Sequence, residues 1–106
     1  RLFHVLLTLL DGDLHGYGII QAVEERTGGD MVLEPGGLYR TLRGMLRDGL
    51  IVETDERPDP GEDDPRRRYY RITEAGRAVA LAETRRLRKL LSQAEPRVVA
   101  DGGGTA

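Results

Sequence analysis

The stretch Glu34-Pro35-Gly36-Gly37-Leu38-Tyr39-Arg40-Thr41-Leu42-Arg43-Gly44-Met45-Leu46-Arg47-Asp48-Gly49-Leu50 decides how the chain is read. Pro35 and the Gly36-Gly37 pair mark a turn leading into a helix. From Leu38 the apolar residues Leu38, Leu42, Met45 and Leu46 return at the 3.6-residue period of one helix face, and Gly49 stops the helix. At ~100° per residue, Arg40, Arg43 and Arg47 gather on the opposite face with Gly44 beside them. No acidic residue interrupts this row before Asp48, which is expected to point to the flank. A short helix that buries one side and presents guanidinium groups on the other suits a DNA major groove, where Arg bonds phosphates and guanine edges. The same pattern also describes an ordinary surface helix with a wet Arg face. The neighbouring segments decide between them.

Upstream, residues 2–10 are almost continuously apolar. Leu2, Leu6, Leu9 and Leu10 share a face, and Phe3, Val5 and Leu7 widen it, so this helix is expected to touch more than one neighbour. Asp11-Gly12-Asp13 reads as a turn. His15-Gly16-Tyr17 opens a second helix running to about Thr27, with Ile19, Ile20, Ala22 and Val23 as its apolar stripe and Gly28-Gly29 at its end. Residues 30–33 read as a connector or a stub of strand. The linker is longer than the tightest helix-turn-helix turn.

Downstream, the β-branched run Leu50 to Thr54 reads as a strand. Arg57 to Pro65 is a loop with three prolines, one glycine and four acidic residues. Arg66 to Ile72 reads as the returning strand, with Tyr70 and Ile72 on one face and Tyr69, Arg67 and Arg71 on the other. The two strands form a hairpin with a long acidic tip, a wing. Thr73 is placed to cap a long helix, with Glu74 in its first turn. That helix is expected to reach about Ala94 and to be halted by Pro96. Its second half carries Leu87, Leu90, Leu91 and Ala94 at helical spacing, and a small domain has few other elements to cover them. A second copy of the chain is the economical cover. The tail, residues 96–106 with Gly102-Gly103-Gly104, is expected to be disordered.

The fold expected is therefore mainly α with a small two-stranded β-wing: a winged helix-turn-helix unit over residues 1–72, then a long C-terminal dimerisation helix over 73–95. At 106 residues the chain is one domain with a modest core, so oligomerisation is a natural supplement. It has no Cys, which excludes a disulfide framework, a thiolate metal site and a Cys nucleophile and fits a reducing, cytoplasmic setting. The net charge of -2 is not that of a generically basic protein, but the charges are segregated, and a local basic face matters more for phosphate than the total. The apolar run at residues 2–10 lacks a cleavage site and is too short to span a membrane, so we expect neither a signal peptide nor a membrane segment. The chain begins without Met, which leaves residues before Arg1 outside this reading.

Chemistry-bearing constellations are sparse. His4 and His15 have no second His or Cys at ligand spacing, so no metal site is expected. Ser92 is the only Ser and sits among leucines near a helix end. Asp63-Asp64 lies on a Pro-rich loop without a rigid frame. There is no nucleophile–base pair and no phosphate-cradling glycine loop, so neither an enzyme nor a cofactor is expected.

Four motifs resemble the PadR family of bacterial transcriptional regulators. Leu14-His15-Gly16-Tyr17-Gly18-Ile19-Ile20 resembles the family's opening of the second helix. Pro35-Gly36-Gly37-Leu38-Tyr39 resembles its lead-in to the recognition helix, with Gly37 where Thr or another small residue is usual. Leu46 to Ile51 resembles the exit from that helix. Arg67 to Arg77 resembles the wing strand and the start of the last helix. Together they span about residues 3 to 91. The resemblance implies a homodimeric repressor on a pseudo-palindromic operator, with helix 38–48 in the major groove, the wing on the backbone, and release by a small molecule. The chain resembles the short-form members, with one C-terminal helix. Arg40 departs from the Pro or small residue of many relatives, and the acidic wing tip is unusual beside phosphates.

The DNA-contact residues expected are Gly37, Tyr39, Arg40, Thr41, Arg43 and Arg47, with Arg66, Arg67 and Arg68 on the wing. Against the last three stands plain ion pairing with the acidic tip. The dimer-interface residues expected are Leu2, Phe3, Leu6, Leu87, Leu90, Leu91 and Ala94. A small apolar or aromatic effector would have to sit among Phe3, Leu7, Leu87, Leu90 and Leu91, although simple dimer-core packing describes the same residues. The competing class is a winged-helix module that binds protein rather than DNA.

Overall fold

This computed structural model describes residues 1–56 and 67–105, with side chains through Val99. The elements follow as α1 (Leu2–Leu10), β1 (Leu14–His15), α2 (Gly16–Arg26), α3 (Pro35–Arg47), β2 (Ile51–Thr54), β3 (Tyr69–Ile72) and α4 (Glu74–Thr105). The expected order of helices, wing and long last helix is present. The sheet differs. It has three strands in the order β1-β3-β2, not two, because Leu14 pairs with Tyr70 and His15 with Tyr69. Two residues carry no readable alternation, so β1 is invisible in the sequence pattern. Its consequence is large: β3 becomes the central strand. Tyr69, expected on the outward face with Arg67 and Arg71, is then buried along with Tyr70, and the His15 ring meets Tyr69 edge-on at 5.3 Å.

The core lies where α1, α2 and α3 converge over this sheet. Val5, Leu6 and Leu9 of α1, Ile19 and Val23 of α2, Leu38, Leu42 and Met45 of α3, and Ile51, Tyr70 and Ile72 of the sheet form one buried cluster. Burial of each large side chain here contributes about 1.5–3 kcal/mol. The buried Thr8 hydroxyl donates to the Val5 carbonyl at 2.7 Å, which satisfies it. The face of α1 is rotated from the one expected. Leu2 and Leu10 stay more than a third exposed, because the ends of α1 reach past the helices it packs against. Leu6 has no exposed surface. It belongs to the chain's own core and has nothing left to offer a partner, which corrects its place among the interface residues.

Each helix start has a specific cause. His15 caps α2, its Nδ1 accepting the Gly18 N–H at 3.0 Å. Pro35 occupies the first turn of α3, where its missing N–H is not needed. Gly36 and Gly37 are therefore helical and not a turn before the helix. After α2, Thr27 donates to the Val23 carbonyl at 2.9 Å and accepts the Met31 N–H at 3.0 Å. Residues 30–33 form no strand; buried Leu33 anchors them as a connector.

The junction of sheet and last helix is the tightest in the molecule. Thr73 accepts the Gly76 N–H at 3.1 Å and donates to the Gly49 carbonyl at 2.6 Å, which is the capping expected of it. A Cβ on Gly76 would stand 2.2 Å from the Leu50 carbonyl oxygen, so backbone passes backbone here and only glycine fits. Beyond buried Ala80, α4 leaves the body of the fold. It does not end near Ala94. It runs through Pro96 to Thr105, in place of the disordered tail expected over 96–106. Proline removes one hydrogen bond and crowds the preceding turn, but it leaves the residues after it free to be helical.

Candidate nucleic-acid interface

The outward face of α3 is built from alternating small and long residues. Arg40, Arg43 and Arg47 are all exposed. The Arg40 guanidinium lies over Gly36 and Gly37, and that of Arg47 lies beside Gly44. Glycine under arginine leaves the helix backbone close to whatever the guanidinium groups meet. Among the described residues Arg40 and Arg43 make no ion pair, whereas Arg47 pairs with Asp48 at 3.3 Å. Asp48, expected on the flank, is therefore a neighbour of the row.

Two of the expected contact residues sit differently. Gly37 is buried, with an Arg1 guanidinium nitrogen 2.9 Å from where its Cβ would be. The Thr41 hydroxyl is occupied by the Gly37 carbonyl at 3.1 Å. Neither faces outward as a donor, because both lie on the turn where α3 meets the N-terminal segment.

Tyr39 is the joint between helix and sheet. It is 47% exposed, and its hydroxyl would be 2.8 Å from a Cβ on Gly16. The missing side chain at Gly16 is what lets α3 rest on the start of α2. Tyr39 also lines a hollow of about 390 Å³ with His15, Gly16, Tyr17, Arg67, Arg68 and Tyr70. Periodicity could not find this assembly, because it gathers residues from four elements or their flanks. Its trace in the sequence was the clustering of His15, Gly16, Tyr17 and Tyr39 in two motifs.

On the wing, Arg67 and Arg68 are exposed, and Arg66 lies outside the described residues with the acidic tip from Arg57 onward. Arg67 Nη1 stands 3.3 Å from His15 Nε2. Arg68 donates to both oxygens of Glu53 at 3.0 and 3.2 Å. Arg71, which sequence reasoning did not single out, donates three hydrogen bonds to Asp13, the shortest 2.7 Å, and one to Glu56 at 2.7 Å. The Asp13 and then the Glu56 hydrogen bonds hold its guanidinium protonated well beyond the ordinary arginine range. This pair ties the base of the wing to the turn after α1, across 58 positions of sequence. Burial, and then the nearby Glu53 carboxylate, pushes the Tyr70 phenol up from its ordinary value, so it remains a neutral donor.

The second half of α4 presents an apolar stripe. Leu90 and Leu91 are 47% and 63% exposed, Val98 and Val99 about two-thirds. Ala94 is exposed and Leu87 half-buried, as is Phe3. No helix among the described residues is long and apolar enough to cross a membrane.

The sequence pattern of the transcriptional regulator PadR-like family matches residues 5–82. Transcriptional regulator Rv3488 of Mycobacterium tuberculosis is 39% identical over 83 residues, which cover 78% of this chain and 70% of that protein. A transcriptional regulator of Clostridium thermocellum superposes with a TM-score of 0.73 at 22% identity, over 90% of this chain and 89% of that one. Bacillus subtilis PadR in complex with operator DNA superposes with a TM-score of 0.66 at 19% identity, over 78% of this chain and 45% of that one. The matched residues run from the core of α1 through the wing into α4, across every motif on which the resemblance was noted. The chain belongs to the transcriptional regulator PadR-like family.

Proposed function

We propose that the chain is a sequence-specific DNA-binding repressor that works in the cytoplasm as a homodimer on a pseudo-palindromic operator. The observation that carries this reading is the outward face of α3, where Arg40 and Arg43 stand exposed and free of ion pairs among the described residues. Guanidinium groups without internal carboxylates are ready for guanine edges and phosphates. The operator-bound Bacillus subtilis PadR, which shares the fold, lends support. Homodimerisation is supported by Leu90, Leu91, Val98 and Val99, exposed apolar residues on one helix. Release by a small apolar or aromatic effector rests on the family resemblance and on Phe3, Leu7 and Leu87 being only half-buried.

The test is retardation of a labelled fragment from the gene's own upstream region across a salt series. A specific complex with half-sites about 10 bp apart, or a multiple of it, is expected, weakening steeply with salt. Binding indistinguishable from a random duplex would remove the sequence-specific reading and favour a protein-binding module. For the dimer, sedimentation of the unmodified chain should give twice the mass of one chain. Leu90→Asp, which places an unpaired carboxylate in the stripe, should shift it to monomer.

A further inference from the structure

The hollow between α2, α3 and β3 differs from the open face of α3 in its depth and its chemistry. Its floor is Tyr70, only 4% exposed, whose hydroxyl has no hydrogen-bond partner among the described residues. Its mouth is formed by Tyr17 and Tyr39, which are 59% and 47% exposed. One wall is the first turn of α2. There the Gly18 N–H is taken by His15, which leaves the amides of Gly16 and Tyr17 without an intrahelical acceptor. The other wall is Arg67 and Arg68. Among the described residues no carboxylate lines it. Phenol hydroxyls, amide N–H groups at a positive helix end and the Arg68 guanidinium are all donors, and an oxygen-rich anion is the ligand that satisfies them together.

We infer that this hollow is a seat for one phosphate, with the Tyr70 hydroxyl as the donor on its floor and Gly16 as the gap that keeps it open. The occupant is a phosphodiester of the bound duplex, an assignment that rests on the DNA-binding function proposed above. Tyr39 lines the seat and immediately precedes Arg40 on α3, so an occupant there is continuous with whatever the α3 arginines meet. Arg68 holds both oxygens of Glu53 through Nη1 alone, which leaves its Nη2 and Nε for the phosphate. A Cβ at position 16 would push the Tyr39 hydroxyl aside and close the mouth without touching the core.

The experiment compares the unmodified protein with Tyr70→Phe and Gly16→Ala. Binding is measured to the upstream duplex and to duplexes carrying a neutral methylphosphonate at single positions. Thermal melting of each variant should be unchanged. Tyr70→Phe is expected to lose roughly tenfold in affinity for the natural duplex, the scale of a hydrogen bond to a charged group. It should lose nothing more on the one duplex whose seated phosphate is already neutral. Gly16→Ala should follow the same pattern. In parallel, inorganic phosphate is titrated while the Gly16 and Tyr17 amide resonances are followed. Saturable shifts that disappear in Tyr70→Phe support the seat even if the unmodified protein binds no DNA, in which case the functional reading falls and the site holds free phosphate. If DNA binds but Tyr70→Phe matches the parent on every duplex, the seat is overturned and the function stands. If phosphate moves neither amide and DNA does not bind, both are overturned.

Discussion

Arg40 and Arg43 on α3, and Arg68 and Arg71 on the wing side of the molecule, are the same residue type held in opposite ways. The α3 pair stands exposed, Arg40 over Gly36 and Gly37, with no ion pair among the described residues. The wing pair is already committed: Arg68 to Glu53, Arg71 to Asp13 and Glu56. The difference separates a surface prepared to gain contacts from one that must first give some up. A duplex meeting α3 exchanges only water and counterions for its new contacts. A duplex meeting the wing has to compete with carboxylates fixed by the sheet register, in which Glu53 lies opposite Tyr70. Charge counts alone would rank the two surfaces alike.

The largest effect should come from the free pair. Arg43→Ala is expected to cost ~1–3 kcal/mol of specific binding if it reads a base edge, and Arg40→Ala a similar amount. If either touches only phosphate, binding should weaken evenly across sequences and the salt slope should flatten by about one. Neither change should lower the melting temperature, since no internal partner is lost. Affinity unchanged in both variants, by titration against operator and random duplex, would break the comparison at its stronger end.

Arg71→Ala tests the committed side and should act on stability first. It leaves Asp13, whose side chain is only 20% exposed, without its cation, and it cuts the tie between the wing base and the turn after α1. A lower melting temperature is expected, with weaker DNA binding following from the loosened wing. Arg71→Lys should recover only part of it, because a single ammonium cannot reproduce the forked contact with Asp13. Equal melting curves for all three proteins would mean that the network is decorative.

How much of this was legible beforehand follows the same division between local and distant causes. The α3 stripe of Leu38, Leu42 and Met45, the Thr73 cap and the wing strands are local patterns, and periodicity and capping chemistry located them. The failures all involve residues whose state is set from elsewhere. Two-residue β1 exists only because β3 offers an edge, and with it β3 becomes the central strand that holds Tyr69. The rotation of α1 toward Val5, which took Leu6 into the core and left Leu2 exposed, depends on how α2 and α4 lie against it. Arg71 looked like one more wing cation, since nothing near it in sequence announces Asp13. His15 was weighed as a metal ligand and is a helix cap. The exposed arginine face was legible on α3, where one face of one helix carries it, and the Tyr70 hollow was not, because several elements assemble it.

The smallest effect, and the one that sharpens the comparison most, concerns the internal anion at Arg68. The Glu53 carboxylate holds that guanidinium through two hydrogen bonds, while Arg68 itself is 71% exposed and Glu53 42%. An exposed pair of this kind contributes little to stability, because water and salt screen it. It still competes with DNA, since the carboxylate neutralises part of the charge that a phosphate would otherwise meet at that cation. Glu53→Gln keeps the shape and removes the charge. It should leave the melting temperature within error and strengthen binding to random-sequence duplex by roughly two- to fivefold at low salt, the range spanned by exposed ion pairs. The salt slope should steepen, because one more cation is free to release counterions from DNA. Specific binding should change in the same direction but by a smaller factor, as base contacts made by α3 are untouched. Fluorescence titrations at two salt concentrations resolve this. Coincident curves for variant and parent would mean that Arg68 never leaves Glu53, and that α3 alone carries the electrostatics of the interface.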